Sequence, residues 1–284
     1  MLCGIDEIDA RADSDQKMRL AQMHELALSL AESHKSEEEI INILGELSPK
    51  SEMRNSVSAV ERTALCREFL KLFQESLGFD KDLFFGTSDA LADEAEGKIE
   101  YISNRYTDIA YRRFSTIIGR DKGIAVRSFE ELCEDVYGGN SEFGILPIEN
   151  TENGKLAHFY SLINKYELKI AAVCAVETSD SGISRFALVS KNMEYPNARF
   201  GIPDKLELFI TLEKNESLSE ILAAAEFCEM ELYRIDSLPL SSHSGKYALC
   251  PVFSLKDSDV NSFLMFMSLD FPQYIPVGIF KDIN

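Results

Sequence analysis

From Lys98 onward the chain alternates short apolar runs with helical periods, and this alternation limits the fold more than any other feature. Ile99 to Ser103 reads as a strand. Thr107 to Ile117 reads as a helix, with Thr107-Asp108 near its start, and Ile124 to Val126 as a second strand. Ser128-Phe129-Glu130-Glu131 is a capping-box-like entry to a helix that stops near Gly138-Gly139. Phe143 to Ile148 is a third strand. Strands that alternate with helices in this way predict parallel pairing through crossover helices. Leu156 to Tyr166 reads as a further helix, and Leu168 to Val176 and Arg185 to Ser190 as two more strands.

The third strand ends unusually. Phe143 to Ile148 is apolar, and the next residues are Glu149, Asn150, Thr151 and, at 154, a glycine. A buried strand that ends this way delivers a carboxylate, an amide and a hydroxyl to the mouth of an α/β cleft. Between Asn150 and Ser184, however, the chain is too short to raise a second cleft wall. Taken alone, Asn150 also fits a turn-forming asparagine after a strand, and Ser184 a strand-edge serine without a task.

Two regions flank this core. Residues 1–82 are helical by period: Met18, Ala21, Met23, Leu26, Leu28 and Leu30 share a face, and Ser36-Glu37-Glu38-Glu39 resembles a capped start. A longer helix follows Ser48-Pro49, turning Val60, Ala64, Leu65, Phe69, Leu72, Phe73 and Leu77 inward. Residues 83–98 are acidic and rich in turn formers, as a linker would be. From Leu206 the order is strand, helix, strand, strand, helix, strand, which predicts a ferredoxin-like module. The expected class is therefore mixed α/β and α+β, with a helical region over 1–82, an α/β lobe over 98–192 and a βαββαβ domain over 203–284.

Charge narrows the partners. Against 29 Lys and Arg stand 48 Asp and Glu, for a formal net charge of −19. Nucleic acid needs a basic surface and is excluded as a partner. An acidic metabolite needs locally concentrated arginine. No apolar run reaches the length of a membrane span, and Met1 to Asp6 does not begin like a signal peptide, so a cytoplasmic location is expected. The six cysteines lack C-x-x-C spacing and mostly sit in apolar runs, which suits buried free thiols in a reducing compartment. The four histidines form no metal-ligand cluster, and neither metal nor cofactor is expected.

Several motifs resemble those of one family. Pro147-Ile148-Glu149-Asn150-Thr151-Glu152-Asn153-Gly154 is similar to the P-I-E-N-[ST]-x-x-G segment of prephenate dehydratases. Ser128-Phe129-Glu130-Glu131 is similar to the S-F-E-E that precedes it. Tyr106-Thr107-Asp108-Ile109-Ala110 resembles the family's aromatic-hydroxyl-x-x-Ala helix start, and Ser184-Arg185-Phe186 its T-R-F. The order of the three regions resembles the bifunctional chorismate mutase–prephenate dehydratase of phenylalanine biosynthesis, with its C-terminal ACT regulatory domain. The middle lobe then resembles a truncated periplasmic-binding-protein-like lobe.

The resemblance implies a lyase that takes prephenate to phenylpyruvate. It assigns the catalytic hydroxyl to Ser184 and an orienting role to Asn150. Substrate contacts fall on Thr107, Arg105, Glu149, Gly154 and Arg185. In the ACT-like region, Asn215-Glu216-Ser217-Leu218 and Ile235-Asp236-Ser237-Leu238-Pro239 stand where the family has its effector motifs. Asn215, Leu218, Asp236 and Ser237 are thus the expected sites for an aromatic amino acid. Edge-to-edge pairing of ACT sheets implies a homodimer.

Departures from the family pattern carry their own expectations. Met23 stands in place of an arginine before Glu25-Leu26-Ala27, and His34 in place of a lysine. Rearranging a dianion needs such cationic donors, so no chorismate mutase activity is expected. Ser103-Asn104-Arg105 replaces a G-x-x-G loop, which removes the close backbone approach to a carboxylate. A one-walled cleft neither excludes water nor clamps prephenate from both sides. Three functions follow: an enzyme of the phenylalanine branch, a non-catalytic amino-acid-sensing or partner-binding protein of the same architecture, and a structural, dimer-forming protein.

Overall fold

The computed structural model describes residues 58–77, 97–119, 122–150, 154–177, 182–193, 200–214, 216–240 and 247–283. Met23, Glu25, His34, the linker stretch through residue 96 and Asn215 lie outside them. The described elements, in chain order, begin with α1 (Ala59–Leu77), β1 (Lys98–Tyr101), α2 (Arg105–Ile118), β2 (Lys122–Ala125), α3 (Phe129–Gly138), β3 (Phe143–Asn150), β4 (Gly154–Lys155) and α4 (Ala157–Tyr166). They continue with β5 (Lys169–Glu177), β6 (Ile183–Ser190), β7 (Lys205–Phe209), α5 (Leu218–Phe227), β8 (Met230–Pro239), β9 (Tyr247–Leu255), α6 (Val260–Asp270) and β10 (Ile275–Asp282). The architecture is mixed α/β. Its contacts fall into two units, one made of Phe85–Glu213, Met230–Asp257 and Gln273–Asn284, the other of Met1–Phe84, Lys214–Glu229 and Ser258–Pro272.

The larger unit holds one mixed sheet in the order β2-β1-β3-β6-β5-β10-β7-β9-β8, with β4 paired to β3. The expected parallel pairing holds for β1 with β2 and β3. It stops at β6, which is antiparallel to both β3 and β5. The cause is local: the connection from β5 to β6 is short, and a short connection reverses the chain. The sheet also continues past the lobe boundary read from the sequence near residue 192. β10 joins β5 in parallel, with Gly278 opposite Ile170. A side chain at Gly278 would put its Cβ 2.5 Å from the Ile170 carbonyl oxygen, so only glycine allows this approach.

Both faces of the central strands are buried. Leu146, Ile148, Val173, Ala187 and Val189 enter one apolar cluster with α3 and α4. Ile145, Ala172, Cys174, Phe186 and Leu188 enter another with Ala110 and Phe114 of α2. This explains why the strands read as continuous apolar runs. Each fully buried Leu, Ile, Val or Phe among them contributes about 1.5–3 kcal/mol.

Helix α2 starts two residues earlier than its expected start at Thr107. The Asn104 side chain accepts from the Tyr106 and Thr107 amides, while Thr107 Oγ1 accepts from the Asn104 amide, forming a reciprocal cap. Gly119, at φ 72°, ends the helix in the left-handed region.

In the smaller unit, α1 lies against α5 and α6. Arg62 is 4% exposed and reaches Glu220 at 2.8 Å and Asp270 at 3.0 Å. Arg67 Nε donates to Asp259 at 2.6 Å, and its Nη2 donates to the Phe227 carbonyl at the end of α5. Among the described residues no helix is long and apolar enough to cross a membrane. Cys66, Cys133, Cys174, Cys228 and Cys250 are buried and free.

Candidate active site

The ends of β3 and β6 bring the sequence-derived site residues together. Asn150 faces Ser184 across the ladder, and Glu149 faces Arg185. β3 extends two residues beyond the strand read from the sequence. Gly154, at φ 64°, turns back into β4 opposite Asn150. Asn150 and Ser184 are therefore side-by-side ladder residues on adjacent strands, and Val176 of β5 pairs Ser184 from the other side.

Charged groups from other strands close in on this end of the sheet. Arg185 donates to Asp282 of β10 at 2.5 Å and lies 3.5 Å from Glu149. Glu149 accepts two hydrogen bonds from Arg234 of β8, at 2.5 and 3.3 Å. Arg234 Nε sits 2.8 Å from Asp236, and Asp236 lies 3.7 Å from Lys155 of β4. Lys155 pairs with Glu207 of β7, and the Tyr160 hydroxyl donates to Glu207 at 2.5 Å while accepting from Lys155. Three cations thus meet four carboxylates; Lys205 and Asp204 both lie beside Asp282, and Lys281 pairs with Asp204 at 3.0 Å, so the charges balance.

The titration behaviour follows from these contacts. Burial pushes the Glu149 carboxyl up, but the Arg234 hydrogen bond and charge, with Arg185 and Lys155, bring it below its ordinary value. Burial and Asp204 push the Asp282 carboxyl up against the pull of Arg185. Burial and Glu207 push the Tyr160 phenol well up, so it stays protonated and donates. A cavity of 10 Å³ lies among Arg185, Arg234, Lys205, Glu207 and Asp282. That is about the room of one water molecule.

The remaining sequence-derived residues sit as follows. Thr107 is 2% exposed, and its hydroxyl donates to the Ile102 carbonyl at 2.5 Å as part of the α2 cap. Arg105 heads α2 in an exposed position, its guanidinium 6.0 Å from the Tyr106 ring. Leu218 opens α5 behind the Ser217 cap. Ser237 is exposed on β8, whereas Asp236 belongs to the ion-pair chain. Sequence reasoning passed over Arg234, Lys155, Glu207, Tyr160 and Asp282. Glu207 had a signal, being a lone carboxylate inside Leu206-Glu207-Leu208, where burial demands a partner. Among the described residues no group of three His, Cys, Asp or Glu side chains could hold a metal ion.

No curated protein matches the chain. Among solved structures, prephenate dehydratase from Streptococcus mutans aligns at 17% identity and a TM-score of 0.52, over 66% of this chain and 99% of that one. GqqA, described as a novel type of quorum quenching acylase, aligns at 14% identity and a TM-score of 0.47, over 66% and 95%. Prephenate dehydratase from Arthrobacter aurescens, solved in complex with L-Phe, aligns at 14% identity and a TM-score of 0.49, over 65% and 90%. The mixed α/β fold is that of the Streptococcus mutans structure. Residues 103–193, which carry Asn150, Ser184 and Arg185, match the family model described as prephenate dehydratase, and over that span this chain is similar to that family.

Proposed function

We propose that this chain is a prephenate dehydratase-like protein of the phenylalanine branch that no longer turns over prephenate and serves as a binding and regulatory protein. One observation carries the reading: Arg185 and Glu149, the charged groups flanking Asn150 and Ser184, are tied up by Asp282 and Arg234. A substrate dianion needs surplus cations, and this charge-balanced cluster offers none. Thr107 is spent on the helix cap. The N-terminal region, with Met23 in place of an arginine, is read as chorismate-mutase-like without catalysis.

The C-terminal strands are read as an ACT-like module. Support comes from their βαββαβ order and the antiparallel strand order β10-β7-β9-β8. In this reading Asn215, Leu218, Asp236 and Ser237 are the regulatory positions for an aromatic amino acid. β8 ends the sheet and leaves Leu232, Tyr233 and Ile235 exposed, a strand edge suited to pairing with a second copy. A cytoplasmic homodimer without cofactor completes the reading.

The test is prephenate turnover by the purified chain. Phenylpyruvate is expected at the rate of the protein-free control, and phenylalanine is expected to raise the melting midpoint. Asn150 and Ser184 lie side by side, which favours the second reading, a residual enzyme. Phenylpyruvate formation that disappears in Ser184→Ala would establish it. No turnover and no shift with phenylalanine would leave the structural, dimer-forming role.

A further inference from the structure

The arginines of this chain divide into two groups. Among the described residues, Arg62, Arg67, Arg185 and Arg234 each meet a carboxylate at 2.5 to 2.8 Å. Arg105, Arg112, Arg113 and Arg127 meet none, and all four fall in the stretch that holds α2 and β2. The one acid in the described part of that stretch is Asp108, whose carboxylate accepts from the Ser103 hydroxyl. The chain carries 48 acidic residues against 29 basic ones, so carboxylates are in excess. Arginines left without one, side by side, form a positive patch on an otherwise acidic protein. We propose that the outer face of α2 docks a short acidic segment of a partner protein.

The helix sets the geometry. Thr107, Ala110, Phe114 and Ile118 are buried on one side. Arg105 and Arg112 are exposed on the other, seven residues apart, which is two turns or about 10 Å along the axis. Arg113 flanks them, and its guanidinium donates to the Ala175 carbonyl, which fixes it beside the ridge. Thr116 continues the face without charge, its hydroxyl donating to the Arg112 carbonyl. Guanidinium forks pair best with carboxylates and phosphates. Between these, the size of the ridge decides. A nucleic acid strand carries one phosphate about every 3.4 Å over a long run and would pass from the ridge onto acidic surface. A few carboxylates on a short peptide match two or three arginines and reach no further. The surface lies apart from the β3–β6 strand ends, so the inference stands apart from the function proposed above.

Fluorescein-labelled octaglutamate is the probe, read by anisotropy with the full-length protein. At physiological ionic strength charges beyond about 8 Å are screened, so the peptide responds to the ridge and not to the net charge of the chain. Saturable binding is expected, lost in molar salt. Arg105→Glu with Arg112→Glu should weaken it about tenfold or more. Lys71→Glu with Lys214→Glu changes the net charge equally at exposed sites elsewhere and should leave it unchanged. A melting curve checks that the arginine variant is folded, and Arg105→Gln with Arg112→Gln gives the same readout if it is not. Absence of saturable binding, or equal weakening by both charge reversals, would overturn the proposal. Tighter binding of labelled octathymidylate would overturn it in favour of nucleic acid. Salt-sensitive self-association in sedimentation, abolished by the arginine variant, would overturn it in favour of a second copy of this chain.

Discussion

Replacing Glu149 with glutamine removes one carboxylate from the closed site and keeps the shape of the side chain. Two hydrogen bonds from Arg234, at 2.5 and 3.3 Å, end on that carboxylate. The Glu149 side chain is 15% exposed and that of Arg234 is 34% exposed. A fully exposed pair is worth at most about 1 kcal/mol, and breaking a buried one costs about 3–5 kcal/mol. This half-buried pair falls between, with an expected coupling of about 2 kcal/mol. Urea unfolding of Glu149→Gln, Arg234→Gln and the double variant measures that coupling directly. Arg234→Gln should cost less than Glu149→Gln, because Arg185 still faces Glu149 at 3.5 Å. The pH dependence has a definite sign. The folded carboxyl is held below its ordinary value, so the coupling is complete at neutral pH and is lost only as the pH falls through the folded value. A coupling below about 0.5 kcal/mol at neutral pH, or one that grows on acidification, would refute the account of the site as closed by its own ion pairs.

Gly278→Ala should lower stability by about 1–3 kcal/mol, because its Cβ would meet the Ile170 backbone oxygen and nitrogen at 2.5 and 2.6 Å; an unchanged melting midpoint would contradict the β5–β10 junction. Glu100→Gln should stabilise the protein by about 1 kcal/mol at neutral pH, since Glu100 is 4% exposed and its Oε2 lacks a hydrogen-bond partner. Burial, with Asp135 and Glu131, raises that carboxyl despite the Ser141 hydrogen bond, so its penalty appears as pH rises through the folded value and the gain should vanish in acid. Burial pushes the thiols of Cys133, Cys174, Cys228 and Cys250 up to about 12, and that of Cys66 well up too. All five should resist alkylation in the native protein at mildly alkaline pH, and rapid labelling of any of them, mapped by mass spectrometry, would contradict their burial.

Local pattern was enough to place most of the described elements and their order. Periodicity, Ser128, Gly139 and the apolar runs act within a few residues, so α3, β3 and β6 lie close to where the pattern put them. The sequence also singled out Asn150, because a polar residue at the end of a buried strand stands out against its apolar neighbours, and Ser184 through the resemblance of Ser184-Arg185-Phe186 to a family motif. What surrounds them follows from the packing of distant strands. Arg234 and Asp282 lie far along the chain from Glu149 and Arg185, and nothing in a linear pattern states that β10 would join β5 and bring both charges to this site. The physical reason is that an ion pair or a cavity wall depends on which strands become neighbours. That choice is made by side-chain packing across the whole sheet, down to the single missing Cβ at Gly278.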